Sequence, residues 1–207
     1  PRSAGAAARG GWRMNSIQPS GDNMDAQEVL ASWQRQEEAI YAGRPDSDRR
    51  FGVASLEQVA GKSGLEIMRA LLAGELPAPP ISGTMDFTLV EVEHGRAVFQ
   101  GRPLERHYNP LGSVHGGWFA TLLDSALGCS VHTALPAGKS YTTLELKVNM
   151  LRALSSKVPL VRAEGRVIHV GGQVATAEAR LVDAAGKLYA HGTTTCLVFD
   201  FPQKRVA

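Results

Sequence analysis

Asp124 is the only formally charged residue between Arg106 and Lys139, and it stands inside the apolar run Trp118-Phe-Ala-Thr-Leu-Leu-Asp-Ser-Ala-Leu-Gly-Cys-Ser-Val131. Burying an unpaired carboxylate is costly, so an acid in such a run is paired, hydrogen-bonded or held for chemistry. Just upstream, Asn109-Pro-Leu-Gly-Ser-Val-His115-Gly116-Gly117 reads as a glycine-rich turn entering the same helix. The first N–H groups of a helix have no partner within it and can meet a developing negative charge. An acid set against such donors points to acyl transfer.

Both features belong to one helix, expected over about 115–134. His115 and Asp124 would then lie about 13 Å apart along its axis and on opposite faces. One chain cannot aim both at one atom, whereas antiparallel pairing of two copies can set one copy's turn against the other's Asp124. Around the helix the sequence changes to the period of strands. Residues 85–93 and 96–102 flank the hairpin signal His94-Gly95, and 141–151, 160–170, 174–182 and 187–199 form a meander with turns at Ser155-Ser156, Gly171-Gly172 and Ala185-Gly186. In the first meander strand, Leu144, Leu146, Val148 and Met150 alternate with Thr143, Glu145, Lys147 and Asn149, which predicts one face on the helix and one toward solvent or another subunit. Two strands, a long helix and four strands make an α+β fold with an antiparallel sheet wrapped around one central helix. No βαβ alternation supports a dinucleotide-binding reading.

At 207 residues with 43% hydrophobic content the chain can bury one full core. A formal charge of +2 without a basic cluster argues against a nucleic-acid partner. The best candidate for a membrane span, 118–135, contains Asp124 and Gly128 and reads better as a buried helix, so no membrane partner is expected. Cys129 and Cys196 have neither CxxC nor metal-ligand spacing, which predicts free thiols, no metal and a cytoplasmic setting. Residues 1–24 are expected to be a disordered leader or an expression remnant, with Met14 and Met24 as candidate starts. A helical N-terminal extension is expected over 25–79: an amphipathic helix with Val29, Leu30, Trp33 and Ile40, a charged linker at 44–50, and capping boxes at Ser55-Leu-Glu-Gln58 and Ser63-Gly-Leu-Glu66. The last helix would pack Leu65, Met68, Leu71 and Leu72 onto a main domain at 80–201, followed by a tail at 202–207.

The order His-Tyr-Asn109-Pro-Leu-Gly-Ser-Val-His115-Gly116-Gly117, then Ala-Thr-Leu-Leu-Asp124, then Tyr141-Thr-Thr143-Leu-Glu-Leu-Lys-Val-Asn149 resembles the PaaI-like hotdog acyl-CoA thioesterases. These are the phenylacetate-pathway type within the 4-hydroxybenzoyl-CoA thioesterase superfamily, and the resemblance covers about 50–199. It implies a hotdog fold, a homodimer or homotetramer (a dimer of dimers), and hydrolysis of a CoA thioester. No cofactor is implied, because CoA is part of the substrate. No metal is needed either, since a thiolate leaves without a Lewis acid.

The resemblance also implies roles. The Gly116 N–H would polarise the thioester carbonyl, and Asp124 of the other subunit would act as general base or as nucleophile. Asn109 would orient water or the carbonyl, Thr143 would hydrogen-bond Asp124 or the water, and His115 would shape the turn. Val114 and Gly117 would border the substrate, and the hairpin His169-Val-Gly171-Gly172-Gln173-Val174 would lie near the CoA chain. Gln173 replaces a basic residue common near that position, which weakens a phosphate contact there. Arg152 reads as a solubilising charge, and His132 and His191 as ordinary core or surface histidines. Trp118, Phe119, Leu122 and Leu123 suit either an apolar acyl pocket or plain core. Two other readings of the fold are a non-catalytic acyl-CoA sensor, which would be expected to lose the acid, and an enoyl-CoA hydratase or dehydratase, whose His-Phe-Pro signature is absent.

Overall fold

The run around Asp124 folds as expected into one long helix. The computed structural model describes residues 25–42 and 51–201; the leader, the linker at 44–50 and the tail lie outside the described residues. The central helix, α5 (Gly116–Thr133), buries Trp118, Phe119, Leu122, Leu123, Ala126, Leu127 and Val131, a stripe wide enough to meet a curved sheet. Its hydroxyls cost little in that core because they bond back to the helix: Thr121 to the Gly117 carbonyl, Ser125 to Thr121, Ser130 to Leu127 and Thr133 to Ser130.

Six antiparallel strands wrap this helix in the order β1-β2-β4-β5-β6-β3. They are β1 (Phe87–Glu93), β2 (Arg96–Gly101), β3 (Lys139–Met150), β4 (Val161–Val170), β5 (Val174–Asp183) and β6 (Leu188–Asp200). This is the expected hotdog architecture, with β3 at one free edge. Helix and sheet approach closely at Gly165 of β4, where a β-carbon would stand 2.1 Å from the Ala126 carbonyl oxygen and 2.5 Å from its carbon. Backbone cannot yield there, so Gly165→Ala is expected to cost about 3 kcal/mol or more. Thermal unfolding should register it as a loss on the order of 10 °C in Tm.

The alternation in β1 is imperfect for two reasons. A bulge falls between Leu89 and Glu91, and the strand is covered on both faces. The second cover is α1 (Ala26–Ala42), whose Gln36 donates to the Val90 carbonyl at 3.0 Å and whose Trp33 ring lies 4.4 Å from the Arg162 guanidinium. Both capping boxes form, starting α2 (Leu56–Val59) and α3 (Gly64–Ala73). Gly74 closes α3 in the left-handed conformation at φ 79, a region that suits glycine. Met68 is buried and Leu71 and Leu72 pack on the core, so α3 covers the domain as expected. A short helix α4 (Pro80–Thr84) and a 3-10 turn (Glu105–His107) fall in stretches too brief to show periodicity in the sequence. No helix among the described residues is long and apolar enough to cross a membrane.

The expectation for β3 needs correction. A bulge between Thr143 and Glu145 sets Leu144 out of phase with Leu146 and Val148, leaving it 61% exposed instead of on the helix face. The same bulge places Thr143 on the inner face together with Tyr141. Bulges commonly re-aim a side chain beside a working site.

Candidate active site

The turn before α5 is held at several points. Asn109 Oδ1 accepts from the Leu111 and Ser113 N–H groups at 2.9 and 3.3 Å, and its Nδ2 donates to Ser113 Oγ at 3.1 Å. The amide is therefore largely spent on its own turn, the reading its place before Pro110 also suggests. Val114 is buried and donates its N–H to the Leu154 carbonyl at 2.9 Å. The His115 N–H donates to the His107 carbonyl at 2.7 Å.

His115 is the N-cap of α5 and not its first helical residue. Its Nδ1 accepts the Gly117 N–H at 2.9 Å. Gly117 is thereby occupied, while the Gly116 N–H has no protein acceptor among the described residues. Gly116 opens into a cleft of about 300 Å³ whose walls include Asn109, Ser113, Val114, Phe119, Met150 and Leu151. A donor at the positive end of a helix, facing an open cleft, can stabilise an oxyanion.

Asp124 lies half-buried two turns along α5, and its Oδ1 accepts from Thr143 Oγ1 at 3.2 Å. It forms no ion pair among the described residues. Burial raises its pKa above the ordinary value, and the Thr143 bond opposes that shift in part. Such a carboxylate is more basic than an exposed one, which suits proton abstraction. Around it stand Tyr141, Cys129 and Cys196, none of which the sequence assigns to the site. Cys196 pairs with Thr143 across β6, and Tyr141 precedes Thr143 by two residues on the same face, so the period-two pattern of β3 carried the signal. Burial pushes the Cys129 thiol up to about 12 and raises that of Cys196, so both stay protonated near neutrality. Both are free thiols, as expected.

The eight residues from Gly116 to Asp124 span about 12 Å of helix axis, so within one chain the donor and the acid do not face one atom. The β4–β5 hairpin lies nearer the acid's end of the sheet. Its tip is closed by Gly171 N–H to Val174 carbonyl at 2.8 Å and tied to β6 by Val198 N–H to Gln173 carbonyl at 2.8 Å. Val174 pairs with Leu197, one row beyond the Ala175-Cys196-Thr143 row. His169, Gly172, Gln173 and Val174 are exposed. Arg152 lines the Gly116 cleft, with its guanidinium donating to the Leu188 carbonyl at 2.6 Å. Trp118, Phe119, Leu122 and Leu123 are core, all 3% exposed or less. His132 rests against Tyr141 at 5.5 Å between ring centroids.

An antiparallel sheet wrapped on one long helix is the hotdog arrangement, and here it carries a helix-start donor and a half-buried acid. The thioesterase superfamily model matches residues 111–190, which include the turn from Leu111 on, α5 and most of the meander. A 1,4-dihydroxy-2-naphthoyl-CoA hydrolase of Listeria monocytogenes is 30% identical over 105 residues, 51% of this chain and 84% of that protein. A phenylacetic acid degradation-related protein of Ralstonia eutropha superposes with a TM-score of 0.58 at 30% identity, covering 63% of this chain and 98% of that one. The PaaI protein of E. coli shares the fold at a TM-score of 0.53 and 18% identity, covering 58% of this chain and 84% of that one. The chain belongs to the thioesterase superfamily and is a hydrolase acting on thioester bonds.

Proposed function

We propose that the chain is an acyl-CoA thioesterase whose active site is shared by two copies, one supplying the Gly116 N–H and the other Asp124. The observation that carries this reading is the half-buried Asp124, which has no cation partner among the described residues and is hydrogen-bonded by a threonine that a bulge turns inward. The names of the Listeria hydrolase and the Ralstonia protein both concern aromatic acids, which favours aryl over medium-chain substrates. The Gly116 N–H takes the thioester carbonyl oxygen and strengthens its bond as charge develops there. Asp124 either removes a proton from a water that attacks the carbonyl carbon, or attacks that carbon itself to give an anhydride that water then cleaves. In both routes the C–S bond breaks and CoA leaves as a thiolate, so the chemistry needs no metal or other cofactor. Asn109 positions the turn that presents Gly116, and the β4–β5 hairpin lies against the pantetheine chain.

The position of β3 at the edge of the sheet supports the shared site. The strand is long, lacks proline and leaves Leu144, Met150 and Leu151 at least half exposed at or just beyond an edge with free backbone groups. Met150 also borders Gly116, where a β-carbon would lie 2.9 Å from the Met150 methyl. A homodimer is the minimal working unit, and a tetramer is a pair of these.

The test is CoA release from phenylacetyl-, benzoyl- and straight-chain acyl-CoAs. Turnover that favours the aryl substrates is expected; tight binding without turnover would identify a sensor, and hydration of an enoyl-CoA without CoA release would identify a hydratase. Thr143→Val removes the one hydrogen bond that lowers the Asp124 pKa. Activity that needs the carboxylate falls as pH drops through that pKa, so the acidic limb of kcat against pH should move to higher pH in this variant.

A further inference from the structure

The Asp86–His107 pair lies outside the reacting groups, yet it reaches the turn that carries them. Asp86, just after α4, is the only non-glycine residue with positive φ among the described residues, at φ 52. Aspartate tolerates that region better than most residues, but the conformation still needs support from its surroundings. The support is visible: Arg106 Nε donates to Asp86 Oδ2 at 2.8 Å, Arg106 Nη2 contacts Oδ1, and the Asp86 carbonyl accepts the Arg102 N–H at 2.9 Å. His107 Nε2 also lies 2.9 Å from Asp86 Oδ2, in a bent approach, and has no other polar partner among the described residues.

The His107 ring is buried and fixed on three sides. Its Nδ1 accepts the Leu104 N–H at 3.2 Å, which assigns the ring proton to Nε2, facing Asp86. Its flat face stacks on Trp118 of the first turn of α5, with centroids 5.6 Å apart. The Trp118 indole N–H in turn donates to the Met85 carbonyl at 2.8 Å. Two consecutive residues, Met85 and Asp86, thus grip Trp118 and His107. The His107 carbonyl holds the N–H of His115, the residue that caps α5 immediately before Gly116.

We propose that Asp86 and His107 are positioning residues that set the height and tilt of the first turn of α5, and through it the place of the Gly116 N–H. This rests on the shared-site reading for its effect on rate, though not for its effect on structure. Neither residue touches the reacting atoms. Loss of the pair should lower kcat and leave KM nearly unchanged, because a displaced oxyanion donor is missed mainly in the transition state.

The test compares Asp86→Gly with Asp86→Asn, using phenylacetyl-CoA and the full chain. Glycine accepts the positive φ without strain but deletes the acceptor, whereas asparagine tolerates the conformation and keeps an oxygen for His107. Asp86→Gly should lose about ten- to a hundredfold in kcat with KM within about threefold, the scale expected for a displaced group. Asp86→Asn should stay within about threefold of the native protein in both constants. Amide hydrogen exchange over 115–119 should speed up in the glycine variant alone. Equal kcat in the two variants, or unchanged exchange at that turn in Asp86→Gly, would overturn the proposal. Asp124→Asn assayed alongside keeps the two readings apart: full activity there refutes the shared site, while exchange still decides the role of the pair.

Discussion

Asp124→Asn and Asp124→Ala are each expected to lose at least about a hundredfold in kcat/KM for acyl-CoA hydrolysis, the scale of removing a general base or nucleophile. The loss should not come from unfolding. Burial holds the Asp124 pKa above its ordinary value, so the fold favours the neutral carboxyl. As pH rises through the unfolded-state pKa toward the raised folded-state one, ionisation therefore destabilises the native protein, and that cost persists at neutral pH. An asparagine carries no such charge and can still accept the Thr143 hydroxyl. Asp124→Asn should accordingly melt no lower than the native protein at pH 7 and lose any advantage below the ordinary carboxylate range. Stopped-point CoA assays and thermal melts at both pH values check the two halves together.

Gly116→Pro should cost activity on a similar scale for a different reason. Proline removes the N–H, and the first helical position is where helices accept proline best. The residue before it must be extended, and His115 already sits at φ −64 and ψ 141. The new β-carbon would press on the Met150 methyl, the free end of a flexible side chain. Folding should survive while kcat falls about a hundred- to a thousandfold, the cost of one oxyanion donor. Gly116→Ala keeps the N–H and presents the same β-carbon to Met150, so it should lose far less. Kinetics and melting curves of the two side by side isolate the backbone donor.

Much of this was legible in the sequence because periodicity and punctuation agree. The α5 stripe, the His94-Gly95 hairpin and the two Ser-to-Gln/Glu capping boxes are local patterns, and each appears within a few residues of its expected bounds. Asp124 stood out because a charge in an apolar helix has few reasons to be there. Alternation sets Thr143 with the outward residues of β3, because a bulge depends on strand pairing that alternation does not encode; its bond to Asp124 follows only from the family resemblance. His115 reads as a helical residue by position, but its imidazole makes it a cap, which occupies the Gly117 N–H and leaves that of Gly116 without an acceptor among the described residues. The Asp86–His107 contact was invisible for a stronger reason. It joins residues 21 apart through a left-handed turn on an aspartate, and no spacing rule connects the two.

The central claim is that one copy's Gly116 works with another copy's Asp124, and hybrid oligomers test it most directly. Gly116→Pro and Asp124→Asn chains, co-expressed with different affinity tags, yield a hybrid dimer with one site that carries both defects and one that carries neither. CoA release by the isolated hybrid should recover about half the native turnover per dimer, although each parent alone is nearly inactive. A hybrid no more active than its parents would place both groups in the same chain's site and contradict the account.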